Sequence, residues 1–423
     1  MSYKTACFIY IFAVLGVFIG ILYNYSYFSI HLCFFAISLF YIGYKIISGY
    51  YRFGIFSLAT IFNLFGLLYT HYFILESILL NVYISENCFL AMELSTLAIM
   101  SFNFAYDVSK CKVASAINNS KCVLNVSQFT SFLAVFFIVS LCVEYYVIFI
   151  KIGFANYWGV SRAEQSLLRS GLSYLTFYSH TIPVISAISL YLYLENGGKF
   201  RLFLFLSSFL VSVLGAILTV SRADMLSVLL PLIFILNHYG RISNKSTLIL
   251  GVSGILLFGI WKSLFSEKIE MQFDSEFVSW YKIVDDVLSN PNTNFLYGES
   301  YLNTILNLIS PFSGSEPLSI WYVKTYLPDV YSMGGGRGFS AVLEAFLNFH
   351  VFGVVLVYFF YGYLAKKINP NTPLKIMLYM IVLVSVNMLF RSESYAFWKN
   401  MMWFKIYPIL LFYFLSLRKR RYV

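Results

Sequence analysis

Runs of about twenty apolar residues recur along the whole chain, and no other feature narrows its fold so far. A helix of that length covers about 30 Å, the thickness of a bilayer's hydrocarbon. Inside lipid every backbone N–H and C=O needs a partner within the protein, so such runs become helices. Twelve are present, at 6–23, 27–46, 53–74, 87–105, 129–150, 174–194, 201–220, 224–239, 246–264, 346–364, 374–390 and 402–417. Only 11% of the 423 residues are charged and 60% are hydrophobic, where a soluble domain carries about 25% charged residues. The spacing predicts an all-α polytopic membrane protein with about 12 transmembrane helices. The 44 Phe and 35 Tyr suit lipid-facing surfaces and interfacial belts.

Several chemistries are disfavoured at once. The six cysteines form no C-x-x-C pair and the five histidines no H-x-x-x-H, so neither zinc nor a disulfide framework is implied. No P-loop is present, which argues against a nucleotide site. The predicted outer segments hold no D-x-D and no His/Asp cluster, so a metal-dependent transferase is disfavoured and no cofactor is expected. Met1-Ser2-Tyr3-Lys4 leads into an apolar run without a small-residue cleavage site, which reads as a retained first span.

Lysine and arginine in short loops set the orientation. With a cytoplasmic N-terminus, alternate connections collect Lys4, Lys45, Arg52, Lys110, Lys112, Lys121, Lys199, Arg201, Arg241, Lys245, Lys366, Lys367, Lys375 and residues 418–421 on one side. These are 17 of the 29 basic residues. Both termini are therefore expected in the cytoplasm. The net charge of +10 is largely this topological bias and gives no reason to invoke nucleic acid.

The chain then reads as a single integral membrane domain, 1–423, with one large external loop, 265–345, inserted between spans 9 and 10. Within it Phe277, Trp280, Tyr281, Val284 and Leu288 share one helical face, opposite Asp285 and Asp286. That pattern predicts an amphipathic helix lying on the membrane with the acid pair in water. Leu302, Ile305, Leu306 and Ile309 repeat it. The loop is expected to be partly helical and to fold over the bundle as a lid.

Against this apolar background, charges at the outer lip stand out, because charge near hydrocarbon is costly. Arg337 sits in Gly334-Gly335-Gly336-Arg337-Gly338, seven residues before Glu344. Arg162, Arg169, Arg222 and Arg391 are predicted at the same membrane face. Guanidinium forks bind phosphate oxygens bidentately and keep their charge, so a cluster suits a lipid-borne pyrophosphate. Glycines beside Arg337 let the backbone approach and offer amide donors. Arg162 and Arg169 also fit solvated loop charges, Arg222 a snorkelling residue and Arg391 a span-end anchor. Glu344 is the first candidate for a general base and His350 the second, although Glu344 equally suits an ion pair and His350 a packing role.

Three stretches carry a resemblance. They are Leu218-Thr219-Val220-Ser221-Arg222; Tyr297-Gly298-Glu299-Ser300-Tyr301-Leu302 through Ser310-Pro311-Phe312 and Trp321-Tyr322-Val323-Lys324; and Gly336-Arg337-Gly338-Phe339-Ser340 leading to Glu344-Ala345-Phe346-Leu347-Asn348-Phe349 and Gly353. With the plan of about a dozen spans and a large late loop, the chain resembles the Wzy-type O-antigen polymerases. Ala223 and Asp224 stand where small or hydroxylated residues are usual, and His350 where a glycine often follows Asn-Phe. The resemblance implies a metal-independent membrane glycosyltransferase of lipopolysaccharide biosynthesis in the bacterial inner membrane. Its substrates would be undecaprenyl (polyprenyl) pyrophosphate-linked oligosaccharides, and a chain-length regulator protein is an implied partner. A flippase for lipid-linked oligosaccharide and an O-antigen ligase are the rival readings.

Overall fold

The computed structural model describes residues 30–109, 122–157, 168, 180–218, 222–260, 279–291, 293–310, 316–332, 338–386 and 388–419. Among these residues the fold is made of helices joined by turns and loops, apart from one three-residue ladder. In chain order come α1 (Ile30–Phe53), α2 (Leu58–Leu79), α3 (Glu86–Val108), β1 (Cys122–Leu124) and α4 (Val126–Tyr145), which runs on as a π-helical stretch to Ile152. After the short α5 (Phe154–Tyr157) follow α6 (Ile182–Asn196), α7 (Lys199–Leu218), α8 (Arg222–His238) and α9 (Asn244–Ile260). The insertion supplies α10 (Ser279–Ser289), α11 (Glu299–Ile309), α12 (Leu318–Tyr326) and α13 (Pro328–Ser332). The chain closes with α14 (Ala341–Lys367), α15 (Pro373–Ser385), α16 (Met388–Arg391), α17 (Ser394–Met401), a π segment (Met402–Ile406), α18 (Tyr407–Leu415) and β2 (Leu417–Lys419).

Six of these helical runs are long and apolar enough to cross a membrane: Ile30–Phe53, Leu58–Leu79, Glu86–Val108, Val126–Ile152, Lys199–Leu218 and Ala341–Lys367. Shorter apolar helices cover Ile182–Asn196, Asp224–His238 and Pro373–Ser385. The expected first span, 6–23, lies outside the described residues. The expected run 374–390 ends its regular helix at Ser385. The run 402–417 belongs to a longer helical stack that begins at Ser394.

Packing is set by small and polar residues, as it must be where lipid is as apolar as leucine. The broadest helix–helix contact joins α3 to α14. A Cβ on Gly362 would lie 2.2 Å from the Phe102 carbonyl oxygen, so only glycine permits that approach. Asn63 and Asn103 exchange amide hydrogen bonds of 2.9 and 2.7 Å between α2 and α3. Phe62 stacks on Phe102 with ring centroids 3.8 Å apart.

Basic residues gather at one end of the bundle. Lys45 bonds Asp107 at 2.6 Å, and Lys366 lies over the rings of Phe53 and Tyr106. Tyr379, close behind Lys375, donates to the Phe56 carbonyl, and Phe234 near the end of α8 packs on both Phe56 and Tyr379. There β1 pairs antiparallel with β2, setting Val123 opposite Arg418. The insertion and the start of α14 occupy the other end.

The insertion docks into the bundle. Trp280 Nε1 donates to the Tyr69 carbonyl and Tyr281 Oη to that of Thr70, both side chains being buried. This corrects the expected helix on the membrane surface: the apolar face of α10 is covered by α2 and α3. Asp285 and Asp286 are half-buried and hydrogen-bonded within the protein. Asp285 accepts from Ser85 Oγ (2.9 Å) and Asn87 Nδ2 (3.1 Å), and Asp286 from Tyr322 Oη (2.6 Å). Periodicity identified the apolar face, but not that the polar face had partners too.

Candidate functional site

The site is built where the insertion meets the start of α14. Ser340 caps that helix, its Oγ accepting from the Leu343 amide, which is the arrangement a Ser N-cap favours. Glu344 follows one turn later and is completely buried. One carboxylate oxygen accepts from Ser300 Oγ on α11 (2.7 Å), the other from the Ser394 amide at the start of α17 (2.6 Å). Asn348, a turn further on, donates to Ser300 Oγ and accepts from the Gly298 amide. Glu344 is thus the knot joining α11, α14 and α17. The two charge-assisted bonds offset part of the cost of burying it. Acceptor sites remain open on it, but with no exposed surface it reaches a substrate only when a covering neighbour such as Ser300 moves.

Glu393 makes a second buried junction. Its carboxylate accepts from both the amide (2.7 Å) and Oγ (2.8 Å) of Ser319, tying down the start of α12. Burial, helped by the nearby Glu344 charge, pushes the Glu393 carboxyl up to about 7. Beside these acids the Tyr301 hydroxyl is held well above its ordinary range, by burial first and by Glu344 second, so it stays protonated.

The glycine block closes directly on this region. A Cβ on Gly338 would meet the Arg391 carbonyl oxygen at 2.6 Å and Arg391 Cγ at 3.4 Å. Backbone at the end of the block therefore touches the half-buried Arg391, two residues from Glu393. Arg337, Arg162 and Arg169 lie outside the described residues. For Arg222 the backbone begins α8, and its side chain is outside them. Of the six residues proposed from sequence to act with Glu344, the described geometry brings Arg391 into its neighbourhood, through Ser392-Glu393-Ser394.

His350 is placed differently. It stands at a break in α14, with φ 54° and ψ −150°, a backbone state that costs a non-glycine residue strain. Its ring stacks on Phe295 at 3.9 Å and meets Phe346 edge-on. These contacts seat it between insertion and bundle, where it remains exposed.

Sequence reasoning missed Glu393, Ser300, Ser319 and Ser394. Arg391-Ser392-Glu393-Ser394, a polar quartet between two apolar runs, was the signal available for the first and last. It also missed Lys405, which is buried in the π segment, donates to Ser385 Oγ at 3.4 Å and feels the charge of Asp224. A lysine inside a run otherwise apolar was its signal, and π-helical turns often mark functional positions. Among the described residues no group of three or more His, Cys, Asp or Glu could hold a metal ion.

Comparison with protein-family models, with curated proteins and with solved structures yields no match for this chain.

Proposed function

We propose that this chain is a multi-pass enzyme of the bacterial inner membrane, with about twelve spans and both termini cytoplasmic. It polymerises lipid-linked oligosaccharide repeat units in O-antigen or surface polysaccharide synthesis. In this reading the insertion end faces outward. A growing glycan on polyprenyl pyrophosphate presents its first anomeric carbon, and a hydroxyl oxygen of a second lipid-linked repeat unit attacks it. A new glycosidic C–O bond forms and the C–O bond to pyrophosphate breaks, the electron pair leaving with the pyrophosphate.

One observation carries the reading: Gly338 abuts Arg391 beside the buried carboxylates that join the insertion to the bundle. Arg391, with Arg337, Arg162, Arg169 and Arg222, meets the charge that develops on the leaving group. Donors fixed in that way are commonly the largest catalytic contribution. Glu344 takes the acceptor hydroxyl's proton once Ser300 has moved aside, which makes displacement of α11 part of the cycle. His350, stacked on Phe295, is the second candidate to take that proton. A chain-length regulator is the partner proposed for the assembled enzyme.

The test is Arg391→Ala in the source bacterium, read on the lipopolysaccharide ladder. A rate loss of about 10²–10³-fold is expected from removal of one such donor, leaving core with a single repeat unit and no longer rungs. Loss of the single-repeat band as well would favour a ligase or flippase. The flippase reading draws on Lys405, because a buried cation within an apolar run is what a transporter uses. Lys405→Met with an intact ladder would dispose of it.

A further inference from the structure

We propose that a groove along α14 holds one long polyisoprenoid chain stretched across the membrane, its polar head at Tyr301, and so selects carriers by chain length. The proposal rests on the polymerase reading for what the head carries. The groove has a volume of about 760 Å³, within the range of about 300–1,000 Å³ typical of ligand sites. One face of α14 forms its floor, from Phe349 through Gly353, Leu356, Phe360 and Leu364 to Ile368. Helices α11, α15 and α17 wall it in. The Phe349–Ile368 stretch corresponds to roughly 28 Å at the helical rise, close to the whole hydrocarbon slab of about 30 Å.

That length chooses the occupant. The lining is almost entirely aliphatic and aromatic, so water would lack the partners it needs there. Leu356 is 64% and Ile305 56% exposed, so the groove communicates with the surface that lipid covers. A phospholipid acyl chain reaches through one leaflet, roughly 15 Å or half the slab. A single occupant running from Tyr301 to Ile368 has to be longer, and a polyisoprenoid is the membrane hydrocarbon of that reach. At the Phe349 end of the groove stands Tyr301, whose ring lines it and whose hydroxyl is buried behind that lining. The buried hydroxyls of Tyr301 and Ser394 neighbour one another. They lie beside Glu344, the residue that joins α11 to α14, so a head bound there sits at the proposed site while the tail runs to the basic end.

The experiment uses the full-length protein in phospholipid vesicles, with a photoreactive benzoylphenylalanine replacing Leu364 near the far end. Irradiation with radiolabelled long-chain polyprenyl phosphate should give a labelled adduct at 364. Unlabelled long-chain carrier should suppress it, and farnesyl phosphate, too short to reach, should not. Adducts with phospholipid alone, or equal competition by farnesyl phosphate, would overturn the proposal. Ala365→Trp, which plugs the far end, should weaken long-chain binding about tenfold (1.4 kcal/mol) and leave farnesyl phosphate binding unchanged. Val382→Phe, narrowing the opposite wall, should act alike; an equal loss for both carriers in either variant counts against the groove. The adduct forms without polymerisation, so an unaltered ladder in Arg391→Ala would remove the enzyme reading and leave the groove standing.

Discussion

Glu393 makes the hold between insertion and bundle sensitive to acidity. Its folded pKa of about 7 lies above the ordinary carboxylate value of 4.5. Between those values the folded protein keeps a proton that the unfolded chain releases, so stability falls as pH rises through the window and levels off above it. The full difference is at most about 3 kcal/mol. Thermal unfolding in detergent should therefore show a falling transition temperature from pH 5 to pH 8, and Glu393→Gln should flatten that slope. An unchanged slope in the variant would assign the effect to another group. Glu344 was legible in the sequence as a carboxylate that needed a reason. Its partners were not, because Ser300 and Ser394 lie 44 and 50 residues away and no periodicity links positions so distant. The arginines were legible as a set by charge and topology alone, which locate a membrane face and not a cluster.

At the level of helices, apolar length located six runs able to cross a membrane among the described residues, and it did not reveal the covering surfaces. The runs 53–74 and 346–364 correspond to helices 58–79 and 341–367, with ends three to five residues away, because twenty apolar residues admit one answer in lipid. For α10 the stripe of Trp280, Tyr281 and Val284 was readable, but a stripe fits a membrane surface as well as a neighbouring helix. The docking bonds to Tyr69 and Thr70 decide between them. The paired amides of Asn63 and Asn103 provide a quantitative check on helix association. Asn63→Leu should cost about 1–2 kcal/mol, because it removes both interhelical bonds of Asn103 and leaves that amide its bond to the Ile99 carbonyl. Adding Asn103→Leu should cost less than the sum of the single changes. Strict additivity in a double-mutant cycle of thermal stability would mean the amides are bystanders.

Across the whole molecule, the gathering of Lys45, Lys366 and Arg418 at one end was foreseeable from loop charges, whereas the pairing of β1 with β2 was not: three residues carry no usable strand pattern. That ladder sets residues 122–124 beside residues 417–419, and the proposed topology accordingly needs an even number of crossings between them. Reporter fusions offer the direct check: fusion after Lys367 should give cytoplasmic activity, and fusion at Leu327 periplasmic activity. The reverse pattern would invert the proposed orientation and move the site to the wrong side of the membrane. The broad contact of α3 with α14 bears on biogenesis. The face of α3 that Gly362 approaches is made roughly 230 residues before its partner, about 10–50 s of synthesis at ordinary rates. Throughout that interval it waits in the bilayer uncovered, so a ribosome stalled before Ala341 leaves an orphaned segment for membrane chaperones and proteases to recognise.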